Sequence, residues 1–219
     1  MEKIKEGFYK TFKMSFDDFM LLDLPNKMAS DSIGKDGFPE PQNPSKIFLY
    51  SDPFMGFYDV FTAKVRPVPY GEYAKDLYAA AKRVGKYGYI FNTLGKLCSV
   101  LEYKAELGVR TRRAYERKDK KELKKLVKCY EIVVKRVDEF HKAFHDLWMK
   151  ENKPFGWELH DMRLGGLKGR LQTCRYDLLQ YLKGKTDKIA ELEEKLLPHG
   201  TGAFQDNSHI SLVTMGNNA

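Results

Sequence analysis

Apolar residues recur at alternating spacings of three and four along most of the chain, which is the spacing of one buried helical face. The clearest stripe lies in residues 120–150 and consists of Leu123, Leu126, Val127, Tyr130, Val133, Val134, Val137, Phe140, Phe144, Leu147 and Trp148. The same spacing predicts helices over residues 70–86, 89–118 and 159–197. Long helices joined by short connections pack as antiparallel neighbours, so the pattern predicts a bundle of about four long helices.

The N-terminal third has a different pattern. Helical spacing covers residues 4–22, where Ser15 followed by Asp18 is typical of a helix start. Residues 25–46 are rich in Pro, Gly, Ser and Asp and predict a loop. Residues 47–61 are aromatic and contain Pro and Gly, which leaves a short strand with a turn or irregular packed structure as alternatives.

These patterns divide the chain into three parts and predict a mostly α-helical fold. Residues 1–66 hold the lead-in helices, the proline-rich loop and the irregular, aromatic-rich segment. Residues 67–198 form the helical bundle, and residues 199–219 form a tail that docks on the bundle.

Composition and charge limit the class of protein. With 42% hydrophobic and 31% charged residues, the chain has the composition of a globular protein. The formal net charge of +8 permits a polyanion as partner without requiring one. Cys98, Cys129 and Cys174 form no metal-binding spacing, so buried thiols in a reducing, cytoplasmic compartment are expected. We expect no signal peptide, because no apolar stretch has the required character, and no membrane-spanning segment.

Two groups of residues raise the possibility of a separate activity. His141 and His145 are four residues apart and share a helix face, as in some zinc sites. The further ligands of a definite motif are absent, so packing at the boundary of the core is favoured, with no metal and no cofactor. A basic run over residues 110–128 could bind phosphates, although acidic residues dilute it and nucleic acid is a disfavoured partner. No pattern identifies a catalytic residue.

The segment NKPFGWELHDMRLGGLKGRL, residues 152–171, is unusual for a helical protein. Three glycines follow the helix start, at 165, 166 and 169, although each Gly in a helix costs about 1 kcal/mol relative to Ala. Small residues allow another helix backbone to come close, so we expect tight packing here. Arg163 and Arg170 flank the glycines and are expected to have carboxylate or carbonyl partners.

Residues 43–59 (NPSKIFLYSDPFMGFYD) and 151–171 (ENKPFGWELHDMRLGGLKGRL) resemble the C-terminal helical domain of glycoside hydrolase family 20. The resemblance is to the bacterial, exo-acting β-N-acetylhexosaminidases of that family. Residues 16–26 (FDDFMLLDLPN) are similar to the lead-in after the catalytic barrel. The end of the chain, SLVTMGNNA, is similar to the end of those enzymes, although a Trp expected shortly before it is missing.

The resemblance implies a division of labour within a larger enzyme. Catalysis in that family is assisted by the substrate and uses an Asp-Glu pair on a barrel strand. A barrel needs about 250 residues, and no position here matches the pair, so this chain is expected to be a non-catalytic domain. The implied partners are the catalytic barrel of the parent, a second copy in a homo-oligomer, and N-acetylhexosamine-containing glycans through the parent. Five residues of the two distinctive segments are candidates for a substrate mouth or an interface: Asp52, Trp157, His160, Asp161 and Arg163.

Two other functions remain open from the residues alone. The first is a stand-alone basic helical module that binds a polyanion or a protein partner. The second is a small metal-dependent enzyme that uses His141 and His145.

Overall fold

The structure is a computed structural model, and it describes residues 1–28, 43–56, 59, 62 and 67–195. Over these residues the regular backbone is α-helix or 3-10 helix, and they contain no β-strand. The mostly α-helical class is therefore confirmed. Most of the proline-rich loop and the predicted docking of the tail at 199–219 lie outside the described residues.

The helices are numbered here in chain order. They are α1 (Glu2–Phe12), α2 (Phe16–Met20), α3 (Pro44–Tyr50), α4 (Tyr70–Ala81), α5 (Gly88–Lys104), α6 (Leu107–Glu116), α7 (Lys120–Glu151), α8 (Trp157–Leu182) and α9 (Ala190–Glu193). Leu21–Asn26 and Gly85–Tyr87 are 3-10 helices. Within the described ranges, no helix is both long enough and apolar enough to cross a bilayer.

The bundle is built around α7, the longest helix with 32 residues. Helix α4 packs on α5, α5 on α7, and α7 on α8, while α6 packs on α7 near its start. The predicted stripe of α7 is the buried face, with Leu123, Leu126, Tyr130 and Val133 fully enclosed. The prediction of a bundle made of long helices is confirmed.

The helix predicted over residues 89–118 is two helices, α5 and α6, because Glu106 leaves the helical conformation at φ −103° and ψ 2°. The break lets α6 run against the turn that follows α3. There a Cβ on Gly108 would lie 3.3 Å from the carbonyl oxygen of Pro53, so a glycine permits the close approach. Apolar spacing continues across the break and gives no sign of it.

The helix predicted over residues 159–197 starts at Trp157 and ends at Leu182. Gly184 has a φ of 69°, in the left-handed region where glycine is favoured. The N–H of Lys185 donates to the carbonyl of Gln180, as at many glycine-terminated helices. The chain then turns into the short helix α9.

Part of the N-terminal third is helical where a strand or irregular structure was expected. Helix α3 begins at Pro44, whose fixed φ suits the first position of a helix. Four consecutive residues, Ile47, Phe48, Leu49 and Tyr50, are all buried. The predicted helix start at Ser15 is confirmed, since its Oγ accepts from the N–H of Asp18 at 2.9 Å.

Shortening a core side chain of α7 should show how far stability depends on that helix. We expect Leu126→Ala to lower the free energy of unfolding by about 2–5 kcal/mol, because it leaves a cavity in the core. Met149→Ala on the exposed end of the same helix should change it by about 0.5 kcal/mol or less. Urea unfolding followed by circular dichroism measures both, and equal losses would contradict the central place of α7.

Candidate functional site

A tight turn connects α7 to α8 at residues 152–156. The indole N–H of Trp148 donates to the carbonyl of Lys153 at 2.9 Å, and Glu158 accepts from the N–H of Gly156 at 2.8 Å. Gly156 has a φ of 94°, a conformation that residues with a side chain rarely adopt. The turn therefore depends on this glycine, and it brings the start of α8 against the end of α7.

Six aromatic rings, three of them imidazoles, hold this turn together, and we call them the elbow. Its members are His141, Phe144, His145, Trp148, Trp157 and His160. Trp157 is buried, with His141 stacked on it at 5.5 Å between ring centroids and His145 edge-on to it at 5.0 Å. His160 contacts the rings of Phe144 and Trp148.

The imidazoles of the elbow are engaged within the chain. His141 Nε2 lies 2.7 Å from the carboxylate oxygen Oδ1 of Asp161. Burial lowers the pKa of His160, and the positive charge of Arg163 lowers it further, so the uncharged form is favoured. In the part of the chain that the structure describes, no three His, Cys, Asp or Glu side chains are placed to hold a metal ion. The rings of His141 and His145 contact Trp157 at the edge of the core.

The structure brings four of the five predicted site residues together. Trp157, His160, Asp161 and Arg163 lie on the first two turns of α8. Asp52 lies elsewhere, in the turn after α3, and its carboxylate receives two hydrogen bonds from Arg170 at 2.6 and 3.0 Å. The two segments that carry the family resemblance therefore meet through an ion pair further along α8.

Asp52 is only 5% exposed, and its environment favours the charged form. Burial alone would raise its pKa, but the hydrogen bonds and charge of Arg170 and two backbone N–H groups hold the pKa below its usual range. Those N–H groups belong to Phe54 and Met55, each at 2.8 Å. Arg170 also binds Glu191 at 2.8 Å, so the pair joins the turn after α3 to α8 and α9. The expectation of a carboxylate partner for Arg170 is confirmed.

Two buried cations were not identified as important from the sequence. Lys104 is enclosed and donates to the carbonyls of Ser51 at 2.6 Å and Phe48 at 3.2 Å, and burial lowers its pKa to about 8. Arg112 donates to the carbonyls of Phe54 and, at 3.0 Å, Leu192. Lys104 follows Leu101 by three residues on the buried face of α5, and that position was the signal that could have indicated it.

Asp59 is a buried carboxyl group close to both cations. Burial raises its pKa to about 6, although the charges of Arg112 and Lys104 act in the opposite direction. Its Oδ2 has no hydrogen-bond partner among the described residues. Asp59 is thus a group that binds a proton more readily in the folded chain than in the unfolded one.

The glycines of α8 do not contact another helix of the described chain. A Cβ added at Gly165, Gly166 or Gly169 would have no atom within 4 Å beyond its own surroundings. The expected close approach of a helix is therefore not made by the described residues, and they leave this face of α8 open.

The comparison with protein families gives a match that includes both segments, residues 43–59 and 151–171. A family model described as the Glycoside Hydrolase 20C C-terminal domain matches residues 17–211. The chain belongs to this family. A C-terminal domain of this kind is associated with the catalytic domain of its parent enzyme. A search of curated proteins found no match.

The ion pair of this family 20 domain predicts unequal effects at its two carboxylates. We expect Asp52→Asn to lower the free energy of unfolding by about 3 kcal/mol, because the guanidinium of Arg170 loses its buried counter-charge. Glu191→Gln is the matched control, and it should cost about 1 kcal/mol or less since its side chain is more open to solvent, at 39% against 5% for Asp52. Chemical denaturation measures both. Similar losses would show that the buried pair stabilises the domain no more than the pair with Glu191 does.

Asp59 predicts a specific dependence of stability on pH. Its pKa in the folded chain, about 6, exceeds the usual 3.8. Its contribution to the free energy of unfolding is therefore full below about pH 4 and is lost as the pH rises to about 6. As the pH rises from about 4 to about 6, the free energy of unfolding of Asp59→Asn should therefore increase relative to that of the wild type. Above about pH 6 the difference should stay constant. Urea unfolding at several pH values measures this, with Asp187→Asn as the exposed control. A pH-independent difference would contradict the assignment.

Proposed function

We propose that this chain is the non-catalytic C-terminal helical domain of a bacterial, exo-acting β-N-acetylhexosaminidase of the cytoplasm. In this role it packs on the catalytic barrel and supports dimerisation of the enzyme. The observation that carries the proposal is the family match over residues 17–211. An exposed apolar surface near the N-terminus is the one that we assign to contact with the barrel.

That surface, the N-terminal patch, consists of the exposed side chains of Ile4, Phe12, Phe19 and Met20. No residue of helix α1 is fully buried in the described chain, and Phe8 is only partly buried against the core. The ring of Phe8 joins Phe12 at 4.7 Å and Phe19 at 5.0 Å, so α1 and α2 present one continuous aromatic surface. Clustered apolar residues in contact with water are typical of an interaction site.

The barrel is the partner that chain continuity favours for this patch. In a C-terminal domain the chain arrives from the catalytic domain, and α1 precedes residue 17, where the family match begins. The helix is held to its own domain by exposed contacts, such as the ion pair between Lys5 and Asp17 at 2.6 Å. A helix of 11 residues is marginal by itself, so a second surface packed on α1 would stabilise it.

The start of α8 has a subsidiary role in this proposal. Trp157, His160, Asp161 and Arg163 border an active-site mouth or a subunit interface, where N-acetylhexosamine-containing glycans meet them only through the parent enzyme. Asp52 acts on this surface indirectly, by fixing Arg170 and with it the position of α8.

The alternative of a stand-alone basic module has less support. Two arginines of the basic run act inside the chain, because Arg110 pairs with Glu122 at 2.6 Å and Arg112 is buried. Several lysines at the start of α7 are nevertheless exposed. Binding to nucleic acid that weakens steeply with salt would favour this alternative.

The first test concerns the N-terminal patch. The catalytic domain of the parent, produced as a separate chain, should bind the 219-residue chain, and Phe12→Asp should weaken this binding at least about tenfold because a charge would be buried. Titration calorimetry measures the affinity. Met149→Asp on α7 is the matched control, an exposed apolar residue outside the patch and outside α8, and it should leave the affinity unchanged. Equal affinities for all three chains would rule the patch out.

A second assay tests the non-catalytic role directly. The 219 residues alone should release no product from a β-N-acetylglucosaminide, while the same assay with the parent enzyme supplies the positive control. Turnover by the isolated chain would overturn the proposal.

A further inference from the structure

The open face of α8 has a regular pattern of its own. It consists of Phe155, just before the helix, and then Leu159, Met162, Gly166, Gly169, Thr173 and Tyr176, at alternating spacings of four and three. We call this set the outer stripe. Its large side chains are exposed, with 89% for Phe155, 41% for Leu159, 48% for Met162 and 60% for Tyr176. This spacing is the one by which a helix face packs along a second helix.

The opposite face of α8 already packs on α7. Its members Leu164, Leu167, Leu171, Cys174 and Leu178 are buried in the core. The helix is therefore apolar on two faces, and the described part of the chain covers only one of them. A helix that is apolar on both sides is normally buried on both sides.

The glycines at the middle of the outer stripe indicate what kind of contact is missing. Glycine destabilises a helix interior relative to alanine, and the open space around Gly166 and Gly169 would accept a side chain. The described part of the chain therefore gives no reason for glycine at these positions. A second helix backbone crossing here would give one, because the distance between packed helices depends on the size of the side chains at the contact.

The outer stripe is also self-complementary when it is read in opposite directions. About a midpoint between Leu167 and Lys168, Gly166 is opposite Gly169, and Met162 is opposite Thr173. Leu159 is then opposite Tyr176, so the smallest residues meet at the centre and apolar residues meet at the ends. A two-fold interface requires this property, since residue i contacts residue j and j contacts i.

We propose that the outer stripe binds the outer stripe of a second copy of this chain, as an antiparallel pair of α8 helices that cross at Gly166 and Gly169. The inference rests on the proposed function in one respect, the support of dimerisation, and it assigns that role to one surface and one register. Antiparallel helices also oppose their dipoles favourably.

A second copy fits the outer stripe better than the catalytic domain does. The N-terminal patch adjoins α4 and the 3-10 helix after it, through Arg83 to Asp18 and Phe12 to Tyr87. The outer stripe lies on α8, which packs on α7. The two surfaces are thus on different helices, and an asymmetric partner would not require symmetry about the glycine pair.

Cysteine cross-linking tests the partner and the register together. In a Cys129→Ser background, the chain with Met162→Cys and Thr173→Cys should form a covalent dimer with a short thiol-to-thiol cross-linker in concentrated solution. Within one chain these positions are about 16 Å apart along the helix, too far to bridge. The single variants are the controls and should remain monomeric, because equivalent residues lie about 16 Å apart in the antiparallel register.

Glycine variants supply the second measurement. Gly169→Gln should lower the covalent dimer yield of the double-cysteine chain at least tenfold, because a side chain at the crossing keeps the helices apart. Gly7→Gln is the matched control, since Gly7 is also an exposed helical glycine with no atom within 4 Å of its Cβ position. Circular dichroism should show both variants folded.

Each outcome decides the proposal and separates it from the docking of the barrel. Cross-linking of the double variant alone, lost with Gly169→Gln and kept with Gly7→Gln, supports it. No cross-linking, or equally strong cross-linking of the Met162→Cys single variant, overturns it. Phe12→Asp should leave the covalent dimer unchanged, so a failure of barrel binding is recognised independently.

Discussion

The ion pair between Asp52 and Arg170 is the contact on which the arrangement of the domain depends. It joins residues that are 118 positions apart, and it links the turn after α3 to α8. The same carboxylate closes that turn by accepting from Phe54 and Met55. Because Arg170 also binds Glu191, one guanidinium fixes the N-terminal segment and α9 on a single helix. A charge this deeply buried is tolerated only with a well-placed partner.

Among the described residues, two neighbouring buried cations are paired with backbone carbonyls and not with a carboxylate. Lys104 and Arg112 bind main-chain carbonyls of the turn after α3, and Arg112 also reaches the carbonyl of Leu192. Hydrogen bonds to backbone carbonyls can hold a short segment in place whatever side chains that segment carries. The two cations place buried charge at the junction of three pieces of chain. Asp59 is enclosed beside them, and burial raises its pKa although the charges of Arg112 and Lys104 lower it.

The helical bundle could be predicted from the sequence because α7 and α8 each bury one regular face. The helix at Pro44–Tyr50 could not, since four consecutive buried residues leave no helical periodicity. The break at Glu106 was missed because apolar spacing continues through it. At the candidate site, the four predicted residues at the start of α8 are close in sequence and were predicted together. The contact of Trp157 with His141 and His145 was not predicted. The partner of Asp52 lies 118 residues away, and no local pattern connects them.

The two faces of helix α8 carry different kinds of side chain. Its buried side carries Arg170, which is paired with Asp52, and the leucines that face α7. Its open side carries large apolar residues around glycines that nothing in the described chain approaches. An active site has the reverse arrangement, with polar groups left free to act on a substrate. The proposed contacts with other domains therefore depend on this outward apolar surface, while the ion pair of Arg170 holds α8 within its own domain.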